Sequence, residues 1–314
     1  MKPAKKTRKT WTENRILLTA SAVFVLTALL FWSLRSDSAS EKDPPEAAAA
    51  HRPRRIICAA PSITEMVFAL GRGDSVAGVS TFSVFPPEAK KKPTIGGLFN
   101  PSREKIFALQ PDLVITQGEH DALSRFCREK NIPLVSLHIE TLDDIQSSIQ
   151  KIGSILHAAE KAGNLIEDLN SQLDAVRRKT GDLPRRKVFL SLGHTPGDLT
   201  GIMTASSGTF LQELIHLAGG INIFHDLSGR YPRVSKEVLV TRTPEVIIEI
   251  LADGLSHKNK ALLRRDWERL SQLPAVRKDR IHFLTQDYLL IPGNRVAQTA
   301  EAFARIIHPE AFDE

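Results

Sequence analysis

The side chains placed to do chemistry in this sequence are aromatic rings and arginines in Gly- and Pro-rich connections, one histidine behind a strand, and hydroxyls at a helix start. Phe82, Phe85 and Phe99 do not follow helical spacing, which suits a lined cleft, with core packing as the alternative. Tyr231, Arg233, Tyr288, Asn294 and Arg295 occupy similar connections further on. Arg233 and Arg295 could clamp carboxylates or phosphates, or simply be solvated. Ser62, in Pro61-Ser62-Ile63-Thr64, stands where free helix N–H groups could hold a polar ligand group, and where a cap is equally served. His194 should follow a strand over 187–193, the position at which α/β folds place ligand contacts; an exposed imidazole is the bland alternative.

Covalent and hydrolytic chemistry finds little support. GxxxxGK[ST], HExxH, GxSxG and GxGxxG are all missing, and Gly71-Arg72-Gly73 reaches Val76 where the last glycine of a dinucleotide loop should be. Carboxylates such as Glu119 and Asp143-Asp144 lack catalytic spacing and suit solvated faces or helix starts. The ten histidines are scattered. Cys58 and Cys127 form no CxxC, and both read as buried, inert thiols.

Alternating short apolar strands and helices must position these groups. Strands are expected over 55–60, 76–79, 113–116 and 133–137, with helices over 63–70, 101–109, 121–130 and 142–156. Such alternation indicates a parallel sheet covered on both faces. From Ala158 to Thr180 there is no proline, and Ala162, Leu165, Leu169, Leu173 and Val176 fall on one helical face. This helix would run roughly 35 Å, enough to cross the back of a domain. A second series follows, with strands at 187–193, 246–250 and 280–284 and helices at 208–217, 264–270 and 297–307. The plan is α/β: two lobes with parallel-type sheets and flanking helices, 54–157 and 182–314, joined by a single long helix over 158–181.

Charge and hydropathy place the chain. Residues 1–35 hold seven of the 42 basic side chains and one of the 36 acidic ones, so the remainder is balanced at 35 of each sign. A neutral, mixed body argues against a nucleic-acid surface. Ile16 to Leu34 is uncharged and mostly apolar, nearly long enough at about 1.5 Å per residue to span a hydrocarbon core of roughly 30 Å. It is expected to be a membrane anchor, with the basic tail 1–15 cytoplasmic and everything after Leu34 outside. The rival is a cleavable signal ending near Ser38-Ala39-Ser40, although the apolar run exceeds the usual core of such signals. Residues 35–53, rich in Ser, Asp, Glu, Pro and Ala, read as a flexible tether.

Several motifs together resemble the class III periplasmic binding proteins, which serve vitamin B12, haem and ferric siderophore importers. The stretch from Arg55 through Ala60-Pro61-Ser62-Ile63-Thr64-Glu65 to Gly71 is similar to the opening of that family. Phe85-Pro86-Pro87-Glu88-Ala89, Gly96-Gly97 with Asn100-Pro101, 108–114, Gly219-Gly220-Ile221-Asn222-Ile223-Phe224 and Val234-Ser235-Lys236-Glu237 follow in the family's order. The resemblance implies two lobes bridged by one helix, small closing motions, and delivery of a ligand to an ABC permease dimer with its ATPase, without catalysis and without a resident cofactor. It places Phe82 and Tyr231 at aromatic ligand-contact positions and Glu104 and Glu237 at the two permease-docking positions.

Aromatic platforms suit a corrinoid of the vitamin B12 type, while two arginines are a thin basic set for a trianionic siderophore. Haem is the next candidate, with His194, Tyr231 or Tyr288 as axial ligands. The rival from another class is a two-lobed cofactor-handling enzyme such as a metal chelatase, which would need clustered His, Cys or carboxylates. A signalling ectodomain would need more than about 15 residues before the membrane. A monomer bound to the membrane through its N-terminal helix is expected.

Overall fold

The structure is a computed structural model that describes residues 52–251 and 257–312. The basic tail 1–15, the apolar run 16–34 and nearly all of the tether 35–53 lie outside those residues. Among the described residues no helix is long and apolar enough to cross a membrane.

The first lobe carries β1 (Ile56–Cys58), α1 (Pro61–Ala69), β2 (Val76–Val79), α2 (Arg103–Ala108), β3 (Leu113–Gln117), α3 (Asp121–Glu129), β4 (Leu134–Leu137) and α4 (Leu142–Ile155). The long helix α5 (Ala159–Thr180) follows. The second lobe carries β5 (Arg186–Ser191), α6 (Phe210–Leu217), β6 (Gly220–Asn222), α7 (Lys236–Arg242), β7 (Val246–Ile250), α8 (His257–Glu268), α9 (Pro274–Arg277), β8 (Ile281–Leu284) and α10 (Val296–Ile307). Both sheets are parallel, and their strand orders are the same in form, β2-β1-β3-β4 and β6-β5-β7-β8. The expected elements recur with shifts of a residue or two at their ends. The largest departures are α8, which starts seven residues before the expected 264, and β6 and α9, which are too short for an apolar pattern to announce.

Period-two alternation explains why both sheet faces are covered. In β1, Ile56 and Cys58 enter one apolar cluster, while Ile57 joins Val114, Leu123 and Cys127 in another behind the sheet. In β5, Val188 and Leu190 face the first cluster and Phe189 packs with Phe224 and Trp267 on the opposite side. Cys58 and Cys127 are therefore on opposite faces, both free and buried. Burial pushes the Cys58 thiol up to about 12, against a small opposing pull from Lys92, and that of Cys127 up to about 11.

The first cluster is not confined to one lobe. It runs from Ile56, Ile63 and Ile145 through Leu169, Leu173 and Val176 of α5 to Leu214, Phe303 and Ile307. Helix α5 packs on α4 of the first lobe and on α6 and α10 of the second. Gly153 makes the α4 contact possible, because a Cβ there would lie 2.4 Å from Ala162 Cβ. Gln146 and Asn170 exchange side-chain hydrogen bonds of 3.0 and 3.4 Å across the same seam. At the far end Thr180 Oγ1 donates to the Leu217 carbonyl at 2.9 Å. The linking helix is thus a core element shared by the lobes.

A candidate ligand cleft between the lobes

In an order such as β2-β1-β3-β4 the chain reverses direction between β1 and β3, and open parallel sheets take ligands outside the carboxyl ends of the strands at that point. The loops at those ends face each other across the lobes. Arg295, at the start of α10, reaches Glu65 of α1; Phe210, at the start of α6, donates its N–H to the Glu140 carbonyl at 2.5 Å; and Leu142 N donates to Glu213 Oε2 at 2.7 Å. The two carboxyl edges therefore face each other and border a candidate cleft.

The aromatic residues expected at a ligand site are exposed in loops that follow the carboxyl ends of β2 and β6. Phe82 is 65% exposed, Phe99 89%, Phe85 37% and Tyr231 41%. Phe99 stands at the tip of a loop that needs Gly96 at φ +107, where a Cβ would meet the Asn100 carbonyl at 2.7 Å. Thr81 N to Gly96 O at 2.9 Å and Ser102 N to Ile95 O at 2.6 Å tie the ends of that loop. On the other side, Tyr231 lies in a ribbon held by Ser206 N to Arg230 O at 2.8 Å and Thr204 N to Pro232 O at 3.1 Å. Arg233 is exposed in the same ribbon.

Other expected site residues do different work. Arg295 is buried, not solvated or free to clamp a ligand: its guanidinium donates from Nε and Nη2 to both Glu65 oxygens at 2.9 and 2.5 Å, and to Asp287 at 3.1 and 3.3 Å. The Phe85 ring lies on it at 3.9 Å and the Tyr288 ring at 5.5 Å. Tyr288, half-buried, is a wall of this cluster. Burial works against the Arg295 charge, but the hydrogen bonds it donates to Glu65 and Asp287 raise its pKa, while burial raises the Glu65 carboxyl against the opposing pull of Arg295.

Ser62 is buried, its hydroxyl donating to Gln117 Oε1 at 2.8 Å, so it neither caps the helix nor faces a ligand; Ala60 occupies the cap position and Pro61 the first turn. His194 is neither exposed nor at the cleft surface. Its side chain is fully buried, with Nδ1 at 2.8 Å from Glu249 and Nε2 at 3.4 Å from Asp266, and its ring stands edge-on to Trp267 at 5.0 Å. Both nitrogens are taken, so an axial-ligand role does not fit. Burial alone would lower its pKa, but the hydrogen bond and charge of Glu249, then those of Asp266, raise it.

Glu65, Glu140, Glu249, Asp266 and Asp287 were not singled out by spacing. The available signal was an acid inside an apolar run, as with Glu65 in ITEMVFAL and Glu249 in VIIEIL, where burial demands a partner. Among the described residues no group of three His, Cys, Asp or Glu could hold a metal ion.

Glu104 and Glu237 are fully exposed and sit in the first turns of α2 and α7. Ser102 and Ser235 cap those helices, two residues before each glutamate, and the side chains of the capping serines hydrogen-bond the carboxylates. In Glu104 its own backbone N–H and then Ser102 lower the pKa; in Glu237 Ser235 leads. The two helices are topologically equivalent, each joining the edge strand of its sheet to the third in sequence.

Comparison with known proteins agrees with this architecture. The family described as periplasmic binding protein matches residues 56–288. An ABC transporter substrate-binding lipoprotein of Bacillus subtilis is 29% identical over 272 residues, covering 83% of this chain and 82% of its own length. The crystal structure of the periplasmic vitamin B12-binding protein of Vibrio cholerae superposes with a TM-score of 0.69 at 27% identity, covering 83% of this chain and 99% of that one. The periplasmic haem-binding protein of a Roseiflexus species superposes with a TM-score of 0.70 at 26% identity, covering 82% and 99%. The chain therefore belongs to the periplasmic binding protein family, as a substrate-binding protein of the ABC-importer type and not an enzyme.

The buried imidazolium gives a pH test. Its folded pKa is raised above that of an ordinary histidine, so its stabilisation is complete below the ordinary value and fades as pH rises through the folded one. His194→Gln is expected to lower the melting temperature more at pH 6 than at pH 9, measured by calorimetry; an equal loss at both would show that the imidazole is buried neutral.

Proposed function

We propose that the chain binds a corrinoid of the vitamin B12 type between its lobes, outside the cytoplasm, and delivers it to an ABC permease dimer. The observation that carries this reading is the set of exposed rings, Phe82, Phe99 and Tyr231, on carboxyl-edge loops of both lobes, with Phe85 beside them. Such rings suit the faces of a large, flat, amphipathic macrocycle. With Arg295 engaged by Glu65 and Asp287, and Arg230 lying 3.9 Å from Glu140, Arg233 and Arg230 are a thin basic complement for a trianionic siderophore. Calorimetric titration with cobalamin, cobinamide, haem and a ferric siderophore decides among the ligands. Cobalamin or cobinamide is expected to bind at micromolar concentrations or tighter, and Tyr231→Ala to weaken it by about 1–3 kcal/mol through lost ring burial. Binding of the siderophore alone would overturn the corrinoid assignment.

Residues 16–34 are proposed to stay on the mature protein as its anchor, holding the receptor near the permease at raised effective concentration. The mature mass is expected to include them; a chain beginning near Glu41 that washes off membranes with salt would overturn this. Glu104 and Glu237 are proposed to seat the two lobes on arginines of a two-fold permease. Support comes from their exposure, their shared Ser-basic-Glu setting and the equivalence of their helices. Glu104→Arg and Glu237→Arg are expected to reduce permease association and transport while leaving ligand affinity unchanged, and undiminished transport in the double variant would exclude the assignment.

A further inference from the structure

Glu140 has no part in the reading above, yet its backbone and side chain tie it to both lobes. It leaves the carboxyl end of β4 directly after buried Ile139. Its N–H donates to Asp144 Oδ2 at 3.0 Å, within the capping box that opens α4, and its carbonyl accepts from Phe210 N of the second lobe at 2.5 Å. The main chain is thus fixed on both sides of the residue. The carboxylate projects to the cleft rim, where Tyr231 donates its hydroxyl proton to Oε2 at 3.4 Å and Arg230 Nε lies 3.9 Å away. A carboxylate from one lobe therefore holds the phenol of a cleft ring carried by the other.

The geometry points to Glu140 as a positioning and specificity residue: by occupying the Tyr231 hydroxyl it presents that ring to the ligand as an aromatic face and withholds its oxygen as a phenolate ligand for a metal. Deepening the ligand reading, this rests on Tyr231 lining the cleft. A carboxylate acceptor needs the phenol proton to keep its hydrogen bond, and a second negative charge beside it is repelled. Burial raises the Tyr231 pKa most, the charge and hydrogen bond of Glu140 add to the rise, and Arg230 opposes it. Those two are the charged groups that face the hydroxyl, one from each lobe. Ligation of a ferric macrocycle by Tyr231 would require its phenol proton to leave, to Glu140 or to solvent, and would end the hydrogen bond that the hydroxyl donates to Glu140. Stacking of a flat ligand on the ring requires neither.

The chain has two tyrosines, so the ultraviolet difference between wild type and Tyr231→Phe isolates Tyr231 ionisation in the ligand-free protein. Glu140→Gln keeps shape and a polar acceptor while removing the charge. It is expected to move the Tyr231 transition down by about one pH unit or more, whereas in the wild type the phenol stays protonated as long as the fold survives alkali. The same pH in both proteins, or ionisation of wild-type Tyr231 at the pH of a free tyrosine, would overturn the proposal. With added haem, Glu140→Gln is expected to gain a tyrosinate-to-iron charge-transfer band that the wild type lacks and that Glu140→Gln/Tyr231→Phe loses again; such a band in the wild type would also overturn it. The ligand-free titration stands whichever ligand the calorimetry selects, so the two readings fail separately.

Discussion

The contact on which the rest of the cleft depends is the ion pair between Glu65 and Arg295, residues 230 positions apart that meet at its floor, with side chains 1% and 8% exposed. Burying either charge alone would cost several kcal/mol, and losing one partner of such a pair typically costs about 3–5 kcal/mol. The lobes are therefore held at the spacing that keeps guanidinium and carboxylate together. Gly293 sits at the same seam, its Cβ position 3.5 Å from Glu65 Oε2 and 3.7 Å from Ser62 Cα, which are ordinary van der Waals distances. On top of this floor Phe85 lies against the same guanidinium, so a ring of the cleft wall takes its orientation from the contact that sets the distance between lobes. The apolar cluster threading both lobes and α5 acts in the same sense. Packed cores switch between discrete arrangements more readily than they stretch, and here a single helix and a continuous core leave little to switch.

The matching strand orders give the molecule two equivalent halves, although the sequence shows no usable repeat. What does repeat is small: Ser102-Arg103-Glu104 and Ser235-Lys236-Glu237 at the starts of equivalent helices. The serine bonds free N–H groups at the helix start, and the glutamate sits where the helix dipole favours an anion. In the proposed seating on a two-fold permease, two anionic points at topologically equivalent places would be read by two identical cationic ones.

Much of the architecture was legible because β and α periods are imprinted by burial. Val76–Val79 and Val246–Ile250 are apolar runs with both faces covered, and the heptad-like spacing of Leu169, Leu173 and Val176 announces the face of α5 that the lobes share. The exposure of Phe82, Phe99 and Tyr231 was legible too, since they sit in loops where packing gives them no helical spacing. The polar interior was not. Arg295 looks like any loop arginine until Glu65 arrives from the other lobe, and His194 looks exposed until Glu249 and Asp266 close on it. Partners 55 to 230 residues apart leave no local pattern. Only the oddity of an acid within an apolar run hints at them.

These buried pairs also shape what the cleft can offer a ligand. Each charge drawn into the structure is answered by another: Arg295 by Glu65 and Asp287, His194 by Glu249 and Asp266, Tyr231 hydroxyl and Arg230 by Glu140. The charges at the floor are thereby engaged with one another before any ligand arrives, and the exposed groups on the carboxyl-edge loops include ring faces, Arg233 and Arg230, the last of these beside Glu140. A ligand that relies on charge would have to compete with partners already in place. One that relies on area and shape finds its contacts preformed, with little ordering cost, because Phe85 is held by Arg295 and Tyr231 by Glu140. In the corrinoid reading proposed above, the polar groups that build the cleft are thus what orients the rings that a broad, flat, amphipathic ligand would cover.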